Sequence, residues 1–264
     1  MFIVASGAKP AQPRLRQFPK ILLPQGVAGN WLTGYTGREF QDPAKPIKDP
    51  ILPKPDQIFP VAYLVEQDAN SSLRSHFHVV DQFQVFVSGS GRLGTVVIDG
   101  ISIQFVGPHS AYGPIDAGPN GIDYMVLRNR YDPGSRVLPE SRSELPPPPR
   151  TFRQLLGGPV QLLAPDALAA LNEVTSAELI AKESDGLEAW HYQVPAGESV
   201  VGPDPASGDG QHWLVLRGDL DCGTELVGRN SCLFLSSDEA AFSAKAGPAG
   251  LEVLALQYPR RSKH

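Results

Sequence analysis

The chain has 264 residues, of which 41% are hydrophobic, enough apolar material for one large domain or two small ones. Its 26 glycines and 26 prolines disfavour a bundle of long helices. The formal net charge of -5 argues against nucleic-acid binding, and no apolar run reaches the roughly 20 residues that cross a membrane. The start lacks the basic region of a signal peptide, so we expect a cytoplasmic protein.

Residues 1–57 are predicted to form an extended, proline-rich N-terminal arm. Proline at this density blocks helix formation, and the residues concerned are Pro43, Pro46, Pro50, Pro53 and Pro55. The arm also carries apolar side chains that a solvated tail would lack, namely Phe18, Ile21, Leu22, Leu23, Trp31 and Tyr35. We therefore expect it to lie across a domain of this chain or of a partner, with a partly disordered leader as the alternative.

The remainder of the chain contains an internal repeat. A shift of 129 residues aligns Gln82 with Gln211 and Gly89 with Gly218. The same shift aligns further pairs: Gly94 with Gly223, Phe105 with Phe234, Ala117 with Ala246, Gly118 with Gly247 and Pro119 with Pro248. The segments between these turn residues are rich in β-branched and aromatic residues, which predicts short strands.

The repeat predicts two copies of one small domain, at residues 58–135 and 187–264, with a proline-rich linker and one short helix at residues 136–186. Many short strands in each copy predict an all-β fold with few short helices. The double-sheet jelly-roll barrel is one form that such strands adopt.

Two histidines in the first copy are the clearest sign of a functional site. His76 and His78 are two residues apart on a predicted strand, so their side chains share a face. Gln82 rejoins that face after a turn. Imidazole is a good ligand for zinc, copper, iron and nickel, so the pattern indicates half of a metal site. A polar strand surface is the alternative.

This segment resembles the first motif of the cupin family: a His-x-His pair, three or four residues, a Glu, six residues and a Gly. His76, His78, Gln82 and Gly89 match each spacing, with glutamine in place of glutamate. A glutamine oxygen is the weaker ligand and leaves the metal charge uncompensated. We therefore expect a lower metal affinity than a glutamate would give.

The second cupin motif supplies one more histidine after a Pro/Gly turn. His109 follows Pro108 and is the expected ligand, although strict counting from Pro108 places Gly113 at that position instead. The resemblance implies two jelly-roll cupin barrels fused in one chain, a bicupin.

At the repeat offset the second copy lacks the candidate ligands. Proline, serine and aspartate stand opposite the three histidines, as Pro205, Ser207 and Asp238. We therefore expect any metal site in the first copy alone. We expect His191 and His212 at the surface or at strand edges.

Other polar residues of the first copy are candidates to complete a pocket. Tyr112 and Tyr124 are candidates for proton transfer, and Arg128 for binding a substrate carboxylate. Gln84 and Phe86 continue the strand face of the ligands and are candidates to contact the substrate. A structural role is the alternative for each.

The resemblance implies an enzyme that acts on a small organic molecule, first a metal-dependent oxidoreductase of the dioxygenase type. His76, His78 and His109 would bind a divalent transition metal, with Gln82 as a fourth ligand or a neighbour. Iron is the first expectation, with nickel, manganese, zinc and copper as alternatives. A metal-free isomerase or lyase that uses His and Tyr for acid–base chemistry is a second hypothesis, and a non-catalytic binding protein is a third. We also expect a homodimer, because cupin sheet edges need covering.

Overall fold

The structure is a computed structural model, and it describes residues 1–12, 14–17, 22–23, 30–37, 52–54 and 56–261. The chain divides into two compact units. The N-terminal barrel comprises residues 12–159, and the C-terminal barrel combines Met1–Ala11 with the chain from Val160 onwards. Strands dominate both units and helices are few, so the prediction of an all-β jelly-roll fold is confirmed. No helix in the described ranges has the length and apolar character needed to cross a membrane.

The strands within residues 1–160 are β1 (Phe2–Ala5), β2 (Leu15–Gln17), β3 (Leu22–Leu23), β4 (Asn30–Thr36), β5 (Val61–Gln67), β6 (Ser72–Leu73), β7 (His76–Phe77), β8 (Gln82–Leu93), β9 (Val96–Asp99), β10 (Ile101–Val106), β11 (Ile115–Arg128), β12 (Arg136–Val137) and β13 (Gln154–Val160). The elements that follow are α1 (Pro165–Ala169), β14 (Thr175–Ile180), β15 (Glu188–Val194), β16 (Ser199–Val201), β17 (Gln211–Asp221), β18 (Leu226–Val227), β19 (Cys232–Leu235) and β20 (Ser243–Gln257). Two short 3₁₀ helices span Arg142–Glu144 and Pro205–Ser207.

Both barrels are built on antiparallel sheets. In the N-terminal barrel the strand order is β13-β10-β8-β11-β5-β4-β2, with β9 beside β8, β6 beside β11 and β3 beside β6. A separate pair joins β12 to β7. In the C-terminal barrel the order is β1-β19-β17-β20-β15-β14, with β16 beside β20 and β18 beside β17. Because side chains alternate along a strand, each sheet has one face toward the barrel interior and one face away from it.

The repeat reflects a shared strand geometry. The central pair β8 and β11 of the first barrel corresponds to β17 and β20 of the second. Gly89 has a φ of 75°, and a Cβ added there would lie 2.2 Å from the carbonyl oxygen of Gly121. Gly218 has a φ of 72°, and its Cβ would lie 2.0 Å from the oxygen of Gly250. Only glycine fits this close approach at a positive φ, which explains why the two copies share it.

The barrel interiors hold the two cores. Buried residues of the first core are Leu32, Val65, Leu73, Phe86, Leu93, Ile98, Val106, Tyr112, Ile115, Ala117, Ile122, Tyr124 and Val126. Buried residues of the second are Tyr192, Val194, Trp213, Val215, Leu220, Val227, Leu233, Leu235, Ala244, Ala246, Leu251, Val253 and Ala255. Burial of each large apolar side chain stabilises the fold by about 1.5–3 kcal/mol.

The described parts of the predicted arm are strands. β1 pairs with β19 in the C-terminal barrel, and β2 and β4 extend the sheet of the N-terminal barrel. Arg14 lies 4.1 Å from the ring centroid of Trp31 on β4. Several residues of the predicted arm lie outside the described residues, namely Phe18, Ile21, Pro43, Pro46, Pro50 and Pro55. The segment 136–186, predicted as a linker with one short helix, contains β12, β13, α1 and β14.

Candidate functional site

The His-x-His pair points into one end of the N-terminal barrel. His76 lies on β7 and His78 follows that strand, with 5.3 Å between the ring centroids. Both are buried, as are Gln82 at the start of β8 and Arg128 at the end of β11. The structure therefore brings these four side chains together in an interior that water barely reaches.

Hydrogen bonds fix the protonation of His76. Its Nδ1 lies 2.7 Å from the carbonyl oxygen of Arg74, which can only accept, so Nδ1 carries the proton. Its Nε2 lies 2.9 Å from the hydroxyl of Tyr112 and accepts the hydroxyl proton. The oxygen of Tyr112 in turn accepts a 2.9 Å hydrogen bond from the amide nitrogen of Gln82.

Arg128 orients the amide of Gln82. A guanidinium has donors only, so the oxygen of Gln82 must face it, and it accepts from Nε of Arg128 at 2.8 Å. The three hydrogen bonds are therefore donated in one direction: Arg128 donates to Gln82, Gln82 donates to Tyr112, and Tyr112 donates to His76. A directed chain of this kind leaves no choice of tautomer or amide orientation.

His78 is held by a carboxylate that the sequence pattern does not predict. Asp132 lies in the turn after β11, and its Oδ2 is 2.7 Å from Nδ1 of His78. Backbone N–H groups of Val79 and Gly134 also donate to the carboxylate, at 3.1 and 2.8 Å. Since Nδ1 donates to Asp132, the lone pair of His78 is on Nε2.

The guanidinium of Arg128 lies against the ring of His78. Its Nη2 is 3.3 Å from both ring nitrogens. An atom equidistant from the two nitrogens at this range lies over the ring face and cannot lie along the Nε2 lone pair. Nη1 of Arg128 is 3.7 Å from Oδ2 of Asp132, so a buried cation and a buried anion balance each other.

The surroundings shift the pKa of each titratable group in the site. Burial lowers the pKa of His76 to about 3, and the neighbouring His78 ring is the next cause. Burial lowers the pKa of His78 to about 4, and the charge of Arg128 is the next cause. Burial raises the pKa of Tyr112 to about 12. Burial would raise the pKa of Asp132, but the hydrogen bond from His78 and the charge of Arg128 lower it below its usual value. At neutral pH the histidines and the tyrosine are therefore uncharged.

His109, the expected third histidine ligand, does not join this cluster. It adopts a φ of 59°, and its N–H donates to the carbonyl of His78 at 2.7 Å. Its ring lies 6.0 Å from that of Phe77, which occupies the strand face opposite His76 and His78. The His109 ring lines an outer groove of 300 Å³, half-exposed and away from the barrel interior. His109 is the third residue of a tight turn closed by a 3.2 Å hydrogen bond from the Ser110 N–H to the Gly107 carbonyl, and its positive φ sets the direction of its side chain.

The other predicted pocket residues lie farther along the interior. Gln84 is one layer from Gln82 on the same face of β8, and Phe86 is one layer beyond. The Phe86 and Tyr124 rings pack with centroids 5.5 Å apart in the apolar core. Burial raises the pKa of Tyr124 well above its usual value. Tyr112 is therefore the better placed of the two tyrosines for proton transfer.

The residues present do not fit a bound metal ion. The Nε2 lone pair of His76 accepts from Tyr112, the oxygen of Gln82 accepts from Arg128, and His109 points elsewhere. Of the four predicted ligands only His78 keeps a lone pair directed into the interior. Among the described residues, no group of three or more His, Cys, Asp or Glu side chains is arranged to hold a metal. The permanent charge of Arg128 stands beside His78, where a metal ion would bind.

The C-terminal barrel has a different set of residues at the same positions. Gln211 corresponds to Gln82 and donates to Gln257 at 2.7 Å, where the first barrel has Arg128. The counterparts of His76 and His78 lie in the 3₁₀ helix Pro205–Ser207. No histidine therefore faces this end of the second barrel interior within the described ranges.

The expectation for the other two histidines is wrong. His191 and His212 are buried, not at the surface. His212 occupies the position of Phe83 in the repeat, and its ring packs 4.9 Å from that of Phe234. Its Nδ1 lies 2.9 Å from the hydroxyl of Tyr258. The offset of 129 residues aligns His212 with Phe83 in the sequence itself, so the repeat held a sign of this burial.

Comparison with known proteins shows similarity at the level of the fold. A candidate dioxygenase from Nostoc punctiforme has a TM-score of 0.57 at 11% identity, over 100% of this chain and 84% of that one. A pirin from Escherichia coli in complex with nickel(II) has a TM-score of 0.53 at 14% identity, over 99% and 100%. An oxalate decarboxylase variant from Bacillus subtilis has a TM-score of 0.53 at 13% identity, over 99% and 78%.

No family model and no curated protein matches the sequence. The solved structures named above are cupins, so the resemblance inferred from the His-x-His motif is confirmed for the fold. The chain therefore has the bicupin fold, two jelly-roll barrels in one polypeptide.

Proposed function

We propose that the N-terminal barrel is a metal-free acid–base enzyme, an isomerase or lyase that moves a proton beside the carbonyl group of a small organic molecule. One observation carries the proposal. The His78–Asp132 pair leaves a lone pair on Nε2, and the His78 ring neighbours the ring of Tyr112, which carries a protonated hydroxyl, with 6.3 Å between the ring centroids. A base and an acid on neighbouring rings of one buried interior can act on the same substrate.

The proposed step balances without an added reactant. Nε2 of His78 takes a proton from the carbon beside the carbonyl, and the hydroxyl of Tyr112 gives its proton to the carbonyl oxygen. In an α-hydroxy carbonyl compound this yields an enediol. The imidazolium then returns its proton to the neighbouring carbon, and the second hydroxyl restores the proton of Tyr112. Asp132 stabilises the imidazolium that forms between the two transfers.

The remaining polar residues position this pair. The amide of Gln82 donates to the oxygen of Tyr112 and supports negative charge there while the proton is away. Arg128 fixes that amide. Burial and then the nearby charge of Arg128 lower the pKa of His78 and keep it neutral. His76 holds the Tyr112 hydroxyl in the resting state.

A metal-dependent dioxygenase with iron, nickel, manganese, zinc or copper is the rival function. The nickel complex of the pirin and the candidate dioxygenase from Nostoc favour it. The donor set opposes it, because the lone pairs of His76 and Gln82 are engaged. Our proposal therefore takes the metal-free reaction as primary, with a small molecule as the partner.

Hydrogen–deuterium exchange tests the proposal. The purified protein is incubated in D₂O with a panel of α-hydroxy aldehydes and ketones, and loss of the C–H signal is followed by NMR. We expect exchange that chelators leave unchanged, and that falls about 10²–10⁴-fold in His78→Gln and in Tyr112→Phe. The His109→Gln variant, altered outside the cluster, serves as the control and should retain the rate.

Two results would overturn the metal-free reaction. One is activity lost with a chelator and restored by a metal, together with about one metal per chain by elemental analysis. The other is saturable ligand binding without exchange for any compound, which would support the binding-protein hypothesis. The homodimer and the cytoplasmic location stay predictions, and a mass measurement in solution tests the first.

A further inference from the structure

A polar layer lies in the barrel interior next to the acid–base pair. Gln84 on β8 and Gln104 on β10 are directly opposite each other. Val126 on β11 is the other neighbour of Gln84 and belongs to the interior core, so this row faces inward. Gln84 is 2% exposed and Gln104 is fully buried.

Three of the four polar atoms of these two amides lack hydrogen-bond partners among the described residues. The oxygen of Gln84 and both the oxygen and the nitrogen of Gln104 make no hydrogen bond to any part of the chain that the structure describes. The two side chains face each other and still do not pair. A buried amide without a partner is costly, so native proteins rarely keep one without a reason.

The second barrel shows what the same layer contains where Pro205 and Ser207 replace the histidine pair. Trp213 stands at the repeat position of Gln84, and Leu233 at that of Gln104. Both belong to the apolar core, and the indole N–H of Trp213 donates to Gln211. The fold can therefore fill this layer with apolar side chains, and the first barrel does not.

We infer that Gln84 and Gln104 bind hydroxyl groups of the substrate, and that the substrate is a neutral polyhydroxylated carbonyl compound. This inference rests on the proposed function and names the substrate class of the same site. A hydroxyl group both donates and accepts, and so do the two amides taken together. The layer brings no cation, and the charge of Arg128 faces Asp132, so a phosphate or carboxylate finds no unbalanced positive charge.

The test uses the intact chain with free aldoses and ketoses, D-xylose and D-fructose among them, each beside a deoxy analogue that lacks one hydroxyl. Binding is measured by calorimetry and exchange by NMR. We expect saturable binding of a hydroxylated sugar and about tenfold weaker binding of its deoxy analogue. Gln104→Leu, which copies the second barrel, should weaken binding of the sugar by about tenfold or more and lose the preference for the hydroxyl.

Further variants keep the outcomes separate. Gln104→Leu should melt no lower than the wild type, since an unpaired amide is replaced by an apolar side chain. His78→Gln should abolish exchange and retain sugar binding. The inference is overturned if Gln104→Leu leaves exchange on small hydroxyketones unchanged and the wild type binds sugars no better than their deoxy analogues. That outcome leaves the proposed function standing. No sugar binding and no exchange would overturn both, and the amides would then contact ordered water only.

Discussion

The buried pair of Arg128 and Asp132 gives a quantitative prediction. Arg128→Gln places in the first barrel the residue that the second barrel has at this position, Gln257. It leaves the carboxylate of Asp132 fully buried without its cation. Removal of one partner of a buried ion pair costs about 3–5 kcal/mol. The carboxylate keeps its hydrogen bonds from His78, Val79 and Gly134, so we expect a loss of about 3 kcal/mol in the free energy of unfolding.

A double-mutant cycle isolates the interaction. Asp132→Asn should cost a similar amount, because it strands the cation, whereas Arg128→Gln/Asp132→Asn leaves neither charge buried. We expect the double variant to lose at least about 1.5 kcal/mol less than the sum of the single variants in urea unfolding followed by circular dichroism. As a control, Arg14→Gln removes an exposed pair with Glu66 and should cost about 1 kcal/mol or less. Losses in the cycle that add to within about 0.5 kcal/mol would refute the coupling and the reasoning behind it.

Three further predictions concern the fold. Gly89→Ala should destabilise the protein by about 2 kcal/mol more than Gly100→Ala in urea unfolding, because both have a positive φ but only the first meets a backbone oxygen; equal losses would contradict the contact. The free energy of unfolding should fall between pH 7 and 5, by about 2 kcal/mol for each of His76 and His78. In the folded chain these histidines bind a proton only near pH 3 to 4, whereas in the unfolded chain they bind it near their ordinary pKa, so acid favours the unfolded chain. His76→Gln should flatten this slope, and an unchanged slope would show that burial does not govern the titration. Deletion of residues 1–11 should speed amide exchange in β19 and leave β8 unaffected, and protection of β19 after deletion would contradict its pairing with β1.

Much of the fold was predictable because the residues that repeat are those that the turns of the two barrels require. The glycines that align at the offset of 129 residues sit where the backbone needs a positive φ or a close approach, so they survive in both copies. The His-x-His spacing likewise predicted that His76 and His78 share a face. In both cases a local rule of strand geometry decides the outcome.

The remainder of the site depends on contacts distant in sequence. Asp132 looks like an ordinary turn residue before Pro133 and Gly134, and only the folded chain brings its carboxylate to His78. A signal was available, since Arg128 at the end of an apolar strand needs a buried counter-charge and Asp132 is four residues further on. His109 was misplaced because the positive φ of one residue in a tight turn sets the side-chain direction, which spacing alone does not reveal.

The pairing of β1 with β19 has a consequence for how the polypeptide assembles during translation. The residues of the N-terminal barrel are contiguous, so that unit can fold as soon as it leaves the ribosome. Strand β1 precedes that unit in the chain, yet its partner Cys232–Leu235 is synthesised roughly 10 to 50 seconds after β1 at ordinary elongation rates. Strand β1 is thus made before the N-terminal barrel but can pair only after β19 has been made, and nascent chains stalled between the two barrels would carry a finished domain with an unpaired strand in front of it.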